Sequence, residues 1–195
     1  IDVRLVGSEM CIRDSSHRVP FYPTRAGLGS DMLKMNPELK VISSPYSDAN
    51  GEYEQLVAIP AFDIDVSLIH MNRADKGGNG QFLGPDLFFD DLFAMAAKKT
   101  FMSCESIIDT EDFLTHGSVH TLKIPRIFVD GVVEAPQGAH FTECPPDYGR
   151  DENFQKFYAS TAKDEELWND FKSRFLDLEN HSEYLKSLKS FRESQ

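Results

Sequence analysis

From Arg18 onward, short runs rich in β-branched and apolar residues alternate with amphipathic runs, and this alternation constrains the fold more than any other feature of the chain. It is the signature of βα units built around a mostly parallel sheet. The expected strands are Lys40 to Ser43, Gln55 to Ile59, Val66 to His70, Thr100 to Ser103 and Arg126 to Glu134. Each is short and mostly apolar, as strands covered on both faces are. Pro85-Asp86 opens Leu87 to Ala97, in which Leu87, Leu92, Phe93 and Ala96 recur at helical spacing and Lys98 and Lys99 follow at the C-terminal end. An acidic start and a basic finish complement the helix dipole by about 0.3–1 kcal/mol per charge. Asp109 to Asp112 offers a cap and an acidic first turn for a short helix through Leu114. After Pro145-Pro146 the chain turns helical and acidic over Asp151 to Ser160, Asp164 to Leu176 and His181 to Phe191. The expected architecture is α/β: an open, mostly parallel sheet with flanking helices and a helical C-terminal tail.

A chain of 195 residues, 41% hydrophobic and 11% aromatic, is long enough for one domain with a real core. No apolar run approaches the roughly 20 residues that cross a bilayer, and the first residues lack the pattern of a secretory signal. The protein reads as cytoplasmic, with no membrane partner. Twenty basic against 32 acidic residues give a formal charge of −12, which argues against nucleic acid as a partner. Cys11, Cys104 and Cys144 are odd in number and widely spaced, so reduced thiols are expected, with neither a disulfide framework nor a zinc site. The six histidines show no metal-like pairing; His116 and His120 fall four apart, but around Gly117, and read as loop. No metal is expected. Nucleotide-binding, zinc-protease and serine-hydrolase motifs are absent.

Ile1 to Ser15 has no clean helix or strand period and no turn chemistry leading into the residues after it. GSEMCIRDS within it resembles a translated sequencing-adapter fragment, so the stretch is set aside as a non-native leader. Residues 16–195 are then expected to form a single domain that lacks its N-terminal part.

Three loops carry the candidate chemistry. Arg25-Ala26-Gly27-Leu28-Gly29-Ser30 sets two glycines and a hydroxyl beside a guanidinium. Glycines permit positive φ and close backbone approach to an anion, and an arginine pairs bidentately with carboxylate or phosphate. A loop that binds an acid or another anion and an ordinary turn with a surface arginine both fit this composition. Ile69 to Asp75 followed by Gly77 to Gly80 lies just past an expected strand, where ligands bind in open α/β sheets. It contributes Asn72, Arg73 and Asn79 as binding candidates and His70 as either a packed residue or a catalytic one. Gly138 and His140 follow the strand Arg126 to Glu134, and His140 either positions an anionic group or shapes the loop. Glu105, at another strand end, is a candidate carboxylate or an interface ion-pair partner.

The stretches PTRAGLGSD, IHMNRADKGGNGQFLGP and IFVDGVVEAPQGAHFTECPPDY together resemble the A-type (alpha) subunit of the class I coenzyme A transferases, the glutaconate CoA-transferase type, over about Arg18 to Ser190. Phe141 stands where that family's GAHP-type loop has proline. The resemblance implies the CoA-transferase (NagB/RpiA-like) fold, a coenzyme A thioester as substrate, no permanently bound cofactor and a B-type partner subunit. It also implies that Arg25, with Gly27, Gly29 and Ser30, borders the acyl-CoA site. In that reaction a glutamate attacks the thioester, and it sits on the B-type subunit, so this chain alone is expected to be inactive. Phe88 to Phe93 and Pro146 to Glu152 with Phe154-Gln155 also look like the α subunit of steroid ring-opening CoA hydrolases. These cleave a cyclic β-keto acyl-CoA by retro-Claisen chemistry. Their catalytic glutamate lies upstream of the segment matching Arg18 to Phe21, and Glu9 in the leader does not correspond to it. The transferase is the leading expectation and the hydrolase the alternative; a third reading is a non-catalytic scaffold subunit.

Overall fold

The computed structural model describes residues 11–194. It comprises two compact units: one takes the chain up to Ile69 with Leu87–Phe101 and Ile124–Gly131, the other His70–Asp86, Met102–Lys123 and the chain from Val132 onward. The expected leader lies outside the described residues as far as residue 10. Residues 11–16, aperiodic in sequence, are helical (α1), and the Ser15 hydroxyl donates to the carbonyls of Cys11 and Phe62 at 2.7 Å.

In the first unit α1 is followed by β1 (Phe21–Thr24), α2 (Met32–Met35), β2 (Lys40–Ser47) and β3 (Tyr53–Pro60). The three strands form a sheet of order β1-β3-β2, antiparallel throughout. Their sequence predicts strands covered on both faces for β2 and β3. The link between them is instead a tight turn over residues 48–52, in which Asp48 Oδ1 accepts from the N–H groups of Asn50 and Glu52 at 2.8 Å. A connection that short admits only an antiparallel pair, because a parallel crossover takes a dozen residues or more. One face of this sheet packs Val57 and Ile59 with Cys11 against Met32, Leu33 and Leu39.

The next elements are β4 (Val66–Ala74), β5 (Gly80–Gln81), α3 (Asp90–Ala96), β6 (Lys99–Ile107), α4 (Phe113–His116), β7 (Leu122–Ile124) and β8 (Gly131–Glu134). They give a five-stranded sheet of order β7-β5-β4-β6-β8. Its centre is parallel, as expected: the N–H groups of Lys98 and Ile108 donate to Ile64 and Ala74, and those of Asp130 and Ala135 to Thr100 and Cys104, in rising register. The β4–β5 pair is antiparallel, pairing Arg73 with Gln81, so the sheet is mixed.

Three boundaries differ from expectation. Arg126 to Glu134 is not one strand: Phe128 N–H donates to Pro125 O and Val129 N–H to Arg126 O, closing a 3-10 turn over Arg126–Phe128 before β8 begins. Pro125 has no N–H for a ladder, and Ile127 is 82% exposed, so its apolar side chain signals no burial here. Helix α3 starts only at Asp90, after Phe88 at φ +56°. Asp109 makes no capping bond, and the chain passes through a 3-10 turn at Thr110–Asp112 into α4.

The tail follows its sequence signals closely. Helices α5 (Glu152–Ser160), α6 (Glu165–Phe175) and α7 (His181–Glu193) open on Asp151, Asp164 and Asn180, whose side chains accept from N–H groups of the first turn. Such caps contribute about 1 kcal/mol each. Within the second unit the three helices close on Phe154, Phe171, Phe175, Leu188 and Phe191, with Phe141, Phe157 and Tyr184 around them. Among the described residues no helix is long and apolar enough to cross a membrane.

Candidate functional site

Side chains on a strand alternate between faces, so His70 and Asn72 of β4 project from the side shared by Ser103 and Glu105 of β6, whereas Met102 and Cys104 point the other way into full burial. His70 Nδ1 lies 2.8 Å from Ser103 Oγ, and its Nε2 lies 2.7 Å from Glu105 Oε1. The second carboxylate oxygen of Glu105 accepts from Gln137 N–H at 2.7 Å, pinning the loop after β8 over the pair. Gly138 permits that approach: a Cβ there would come within 2.7 Å of His70 Cε1 and 2.8 Å of the Ala135 carbonyl.

Serine, histidine and carboxylate in one hydrogen-bonded chain have the composition of a nucleophilic triad. Acyl transfer also needs donors for an oxyanion, and among the described residues the N–H groups of residues 137–140 are all spent. Gln137 N–H serves Glu105, Gly138 N–H serves Ala135 O, Ala139 N–H serves Tyr148 Oη, and His140 N–H serves Gln137 O. The constellation therefore orients the imidazole and anchors the loop.

Asn72 and Arg73, expected to bind substrate, are engaged with the turn around Asp147. Asn72 Nδ2 donates to Asp147 Oδ2 at 2.8 Å, to Pro145 O at 3.0 Å and to Cys144 Sγ at 3.3 Å, while its Oδ1 accepts from Leu83 N–H. Arg73 pairs bidentately with Asp147 at 2.8 and 2.9 Å. Burial pushes the Asp147 carboxyl up, but the bonds from Arg73 and Asn72 outweigh it and hold the group below its ordinary range. Burial, with the charges of Glu105 and Asp147, pushes the Cys144 thiol up to about 12. Burial likewise raises the Tyr148 phenol, with Glu105 adding to it.

Asn79 belongs to a turn organised by Asp75, which accepts from Gly77 N–H, from Asn79 N–H and Nδ2, and from Thr110 Oγ1 at 2.6–2.9 Å. His140 is all but buried, its ring 4.6 Å from that of Phe154, with Nδ1 2.5 Å from Tyr184 Oη and Nε2 3.1 Å from Asp151 Oδ2. Burial lowers its pKa against the opposing pull of Asp151. Both ring nitrogens are taken within the protein, so His140 holds the loop to α5 and α7.

Arg25, Gly27, Gly29 and Ser30 belong to the first unit. The glycines take φ of +87° and +74°, as their spacing led one to expect. The N–H groups of Leu28 and Ser30 turn inward to the carbonyls of Arg25 and Gly27, so those two donors are not presented to an anion. The exposed Arg25 guanidinium is bound bidentately by Glu54.

The fold thus gathers His70, Glu105, Asn72, Arg73 and Gly138 in one place, joined by Ser103, Cys144, Asp147 and Tyr148, none of which stood out as a site residue in the sequence. Ser103 and Cys144 carry no spacing signal. Asp147 and Tyr148 lie in the Pro146 to Glu152 run that carried part of the family resemblance. One donor atom each from His70, Glu105 and Cys144 lies within 4.8 Å of the other two.

A sequence profile described as "Coenzyme A transferase" matches residues 13–135, more than half of the chain. The IpdA subunit of the cholesterol ring-cleaving hydrolase of Rhodococcus jostii is 45% identical over 179 residues, covering 91% of this chain and 60% of that protein. The A-type subunit of glutaconate CoA-transferase from Acidaminococcus fermentans is 36% identical over 77% of this chain and 45% of the relative. The crystal structure of glutaconate coenzyme A-transferase from the same organism superposes with a TM-score of 0.78 at 29% identity, covering 97% of this chain and 62% of that one. The chain therefore spans about 60% or less of the length of these curated relatives.

Proposed function

The chain belongs to the coenzyme A transferase family, and from that premise we propose that it is one subunit of a cytoplasmic, heteromeric ring-cleaving hydrolase acting on an acyl-CoA derived from a sterol. The observation that carries this reading is the 45% identity to a ring-cleaving hydrolase subunit over 91% of the chain, against 36% over 77% for the transferase subunit. It reverses the order of the two expectations drawn from the sequence.

In the proposed reaction water adds to a ring ketone β to the thioester carbonyl. The bond between the former ketone carbon and the α-carbon breaks; the former becomes a carboxylic acid and the α-carbon takes up a proton. The thioester survives and stabilises the carbanion. The catalytic glutamate of this enzyme type is assigned to none of the residues 11–194. Arg25, with Gly27, Gly29 and Ser30, is proposed to meet the anionic part of the substrate once Glu54 yields it. Asn72, Arg73, Asn79, Gly138 and His140 contribute by fixing loop backbones, since their polar atoms are already engaged. The partner is a B-type subunit.

The test is to isolate the assembled enzyme with its partner subunit and supply a cyclic β-keto acyl-CoA in 18O-labelled water. Ring opening with one labelled oxygen in the new carboxylate and an intact thioester supports the hydrolase. Coenzyme A exchange that requires an acceptor acid, with a glutamyl-CoA thioester trapped by borohydride on the partner chain, would replace it with the transferase.

A further inference from the structure

We propose that His70, Glu105 and Cys144 form a zinc-type metal site, three protein ligands from three separate segments with a fourth position left for an exogenous oxygen ligand. The site does not depend on the function proposed above.

Four observations converge on it. The first is the donor set. Imidazole nitrogen, carboxylate oxygen and thiol sulfur together suit Zn2+ and its neighbours in the first transition row, whereas Mg2+ and Ca2+ call for oxygen alone. The second is distance. One ligand atom from each residue lies within 4.8 Å of the other two. Tetrahedral zinc sets such atoms roughly 3.2–3.6 Å apart, given bonds of about 2.0 Å to nitrogen and oxygen and 2.3 Å to sulfur. The His70–Glu105 contact at 2.7 Å has to open by roughly half an ångström, and Cys144 Sγ to close in by up to about 1.2–1.6 Å from a separation within 4.8 Å, which takes a rotation of its side chain.

The third observation is that each ligand already has the outer hydrogen bond that fixes a metal ligand in place. Ser103 Oγ holds His70 Nδ1 at 2.8 Å, leaving Nε2 as the coordinating nitrogen. Gln137 N–H holds the far oxygen of Glu105, and Asn72 Nδ2 donates to Cys144 Sγ. The fourth is charge. The Glu105 side chain is only 9% exposed, and among the described residues its sole ion-pair partner is His70, which is charged only when protonated. Arg73, the cation nearby, is spent bidentately on Asp147. Arg73 still feels the Glu105 charge from a distance, and a divalent ion would add a positive charge bonded directly to this carboxylate. Positions 70, 105 and 144 form no spacing motif, so only the strand pairing and the turn at Cys144 bring the three together.

The probe is Co2+ added to the intact, natively purified protein in the assembly in which it is isolated. One equivalent should produce the near-ultraviolet thiolate-to-cobalt charge-transfer band, and Zn2+ should displace it. Cys144→Ser should abolish the band, while Cys11→Ser, altered in the other unit, should retain it. Ser103→Ala, which removes the hydroxyl that holds His70 Nδ1, should weaken binding about 10–100-fold. X-ray absorption at the cobalt edge should find one sulfur in a mixed nitrogen and oxygen shell, a readout on the wild type that does not depend on whether the variants fold. Absence of the band, its persistence in Cys144→Ser, or a shell without sulfur would each overturn the proposal.

Discussion

Glu105 Oε1 lies 2.7 Å from His70 Nε2, joining side chains 35 residues apart that project from neighbouring parallel strands. Because the other Glu105 oxygen holds Gln137 N–H, this single carboxylate ties two strands of the sheet to the loop that follows β8.

Glu105→Ala should therefore destabilise the protein by about 1–3 kcal/mol, the usual cost of leaving buried polar groups unpaired. Urea denaturation measures it. An unchanged midpoint would mean that water replaces both bonds without loss.

Gly138→Ala probes the same anchor sterically. The added methyl group would meet His70 at 2.7 Å and the Ala135 carbonyl at 2.8 Å, and the backbone oxygen cannot move aside cheaply. A loss of about 1–3 kcal/mol is expected, with faster amide hydrogen exchange at residues 137–140. Exchange as slow as in the unaltered protein would show that the loop is held elsewhere.

His140 should make stability depend on pH. It is buried against Tyr184, Asp151, Arg192 and Phe154, and burial sets its native pKa below the ordinary 6.5. Between those two values the unfolded chain binds more protons than the native one, so stability rises with pH across that window and falls as the solution is acidified through it. Asp151, held low by Phe154 N–H, His140 and Arg192 against its own burial, adds a further loss only below its ordinary 3.8. His140→Gln should flatten the upper part of the profile; an unaltered slope just below pH 6.5 would assign it to another group.

Arg25→Ala in the assembled enzyme should lower kcat/KM about tenfold or more while leaving assembly intact. Glu54→Gln, which weakens the hold on the Arg25 guanidinium, should not lower it. Full activity in Arg25→Ala would remove that arginine from the substrate site.

The tail shows where local signals suffice. Asp151, Asp164 and Asn180 cap the helices that their side chains announce, and the aromatic spacing of Phe154, Phe171, Phe175 and Phe191 becomes the core between those helices. The run Ile127-Phe128-Val129 shows where they fail. Its composition is that of a strand, but the turn bonds after Pro125 win, and Ile127 stays exposed. In the candidate site, the Asn72 and Arg73 loop could be located but not its use, because a bidentate partner 74 residues away at Asp147 is invisible to spacing.

The α/β alternation, the helical tail and the family were legible in the order of the amino acids alone, since periodicity, caps and loop motifs are local properties of the chain. Folding in three dimensions was needed to make β1-β3-β2 a separate antiparallel sheet and to bring His70, Ser103, Glu105 and Cys144 together. Strand pairing and side-chain alternation convert separations of tens of residues into contacts of a few ångströms, and no local propensity records which strands will pair.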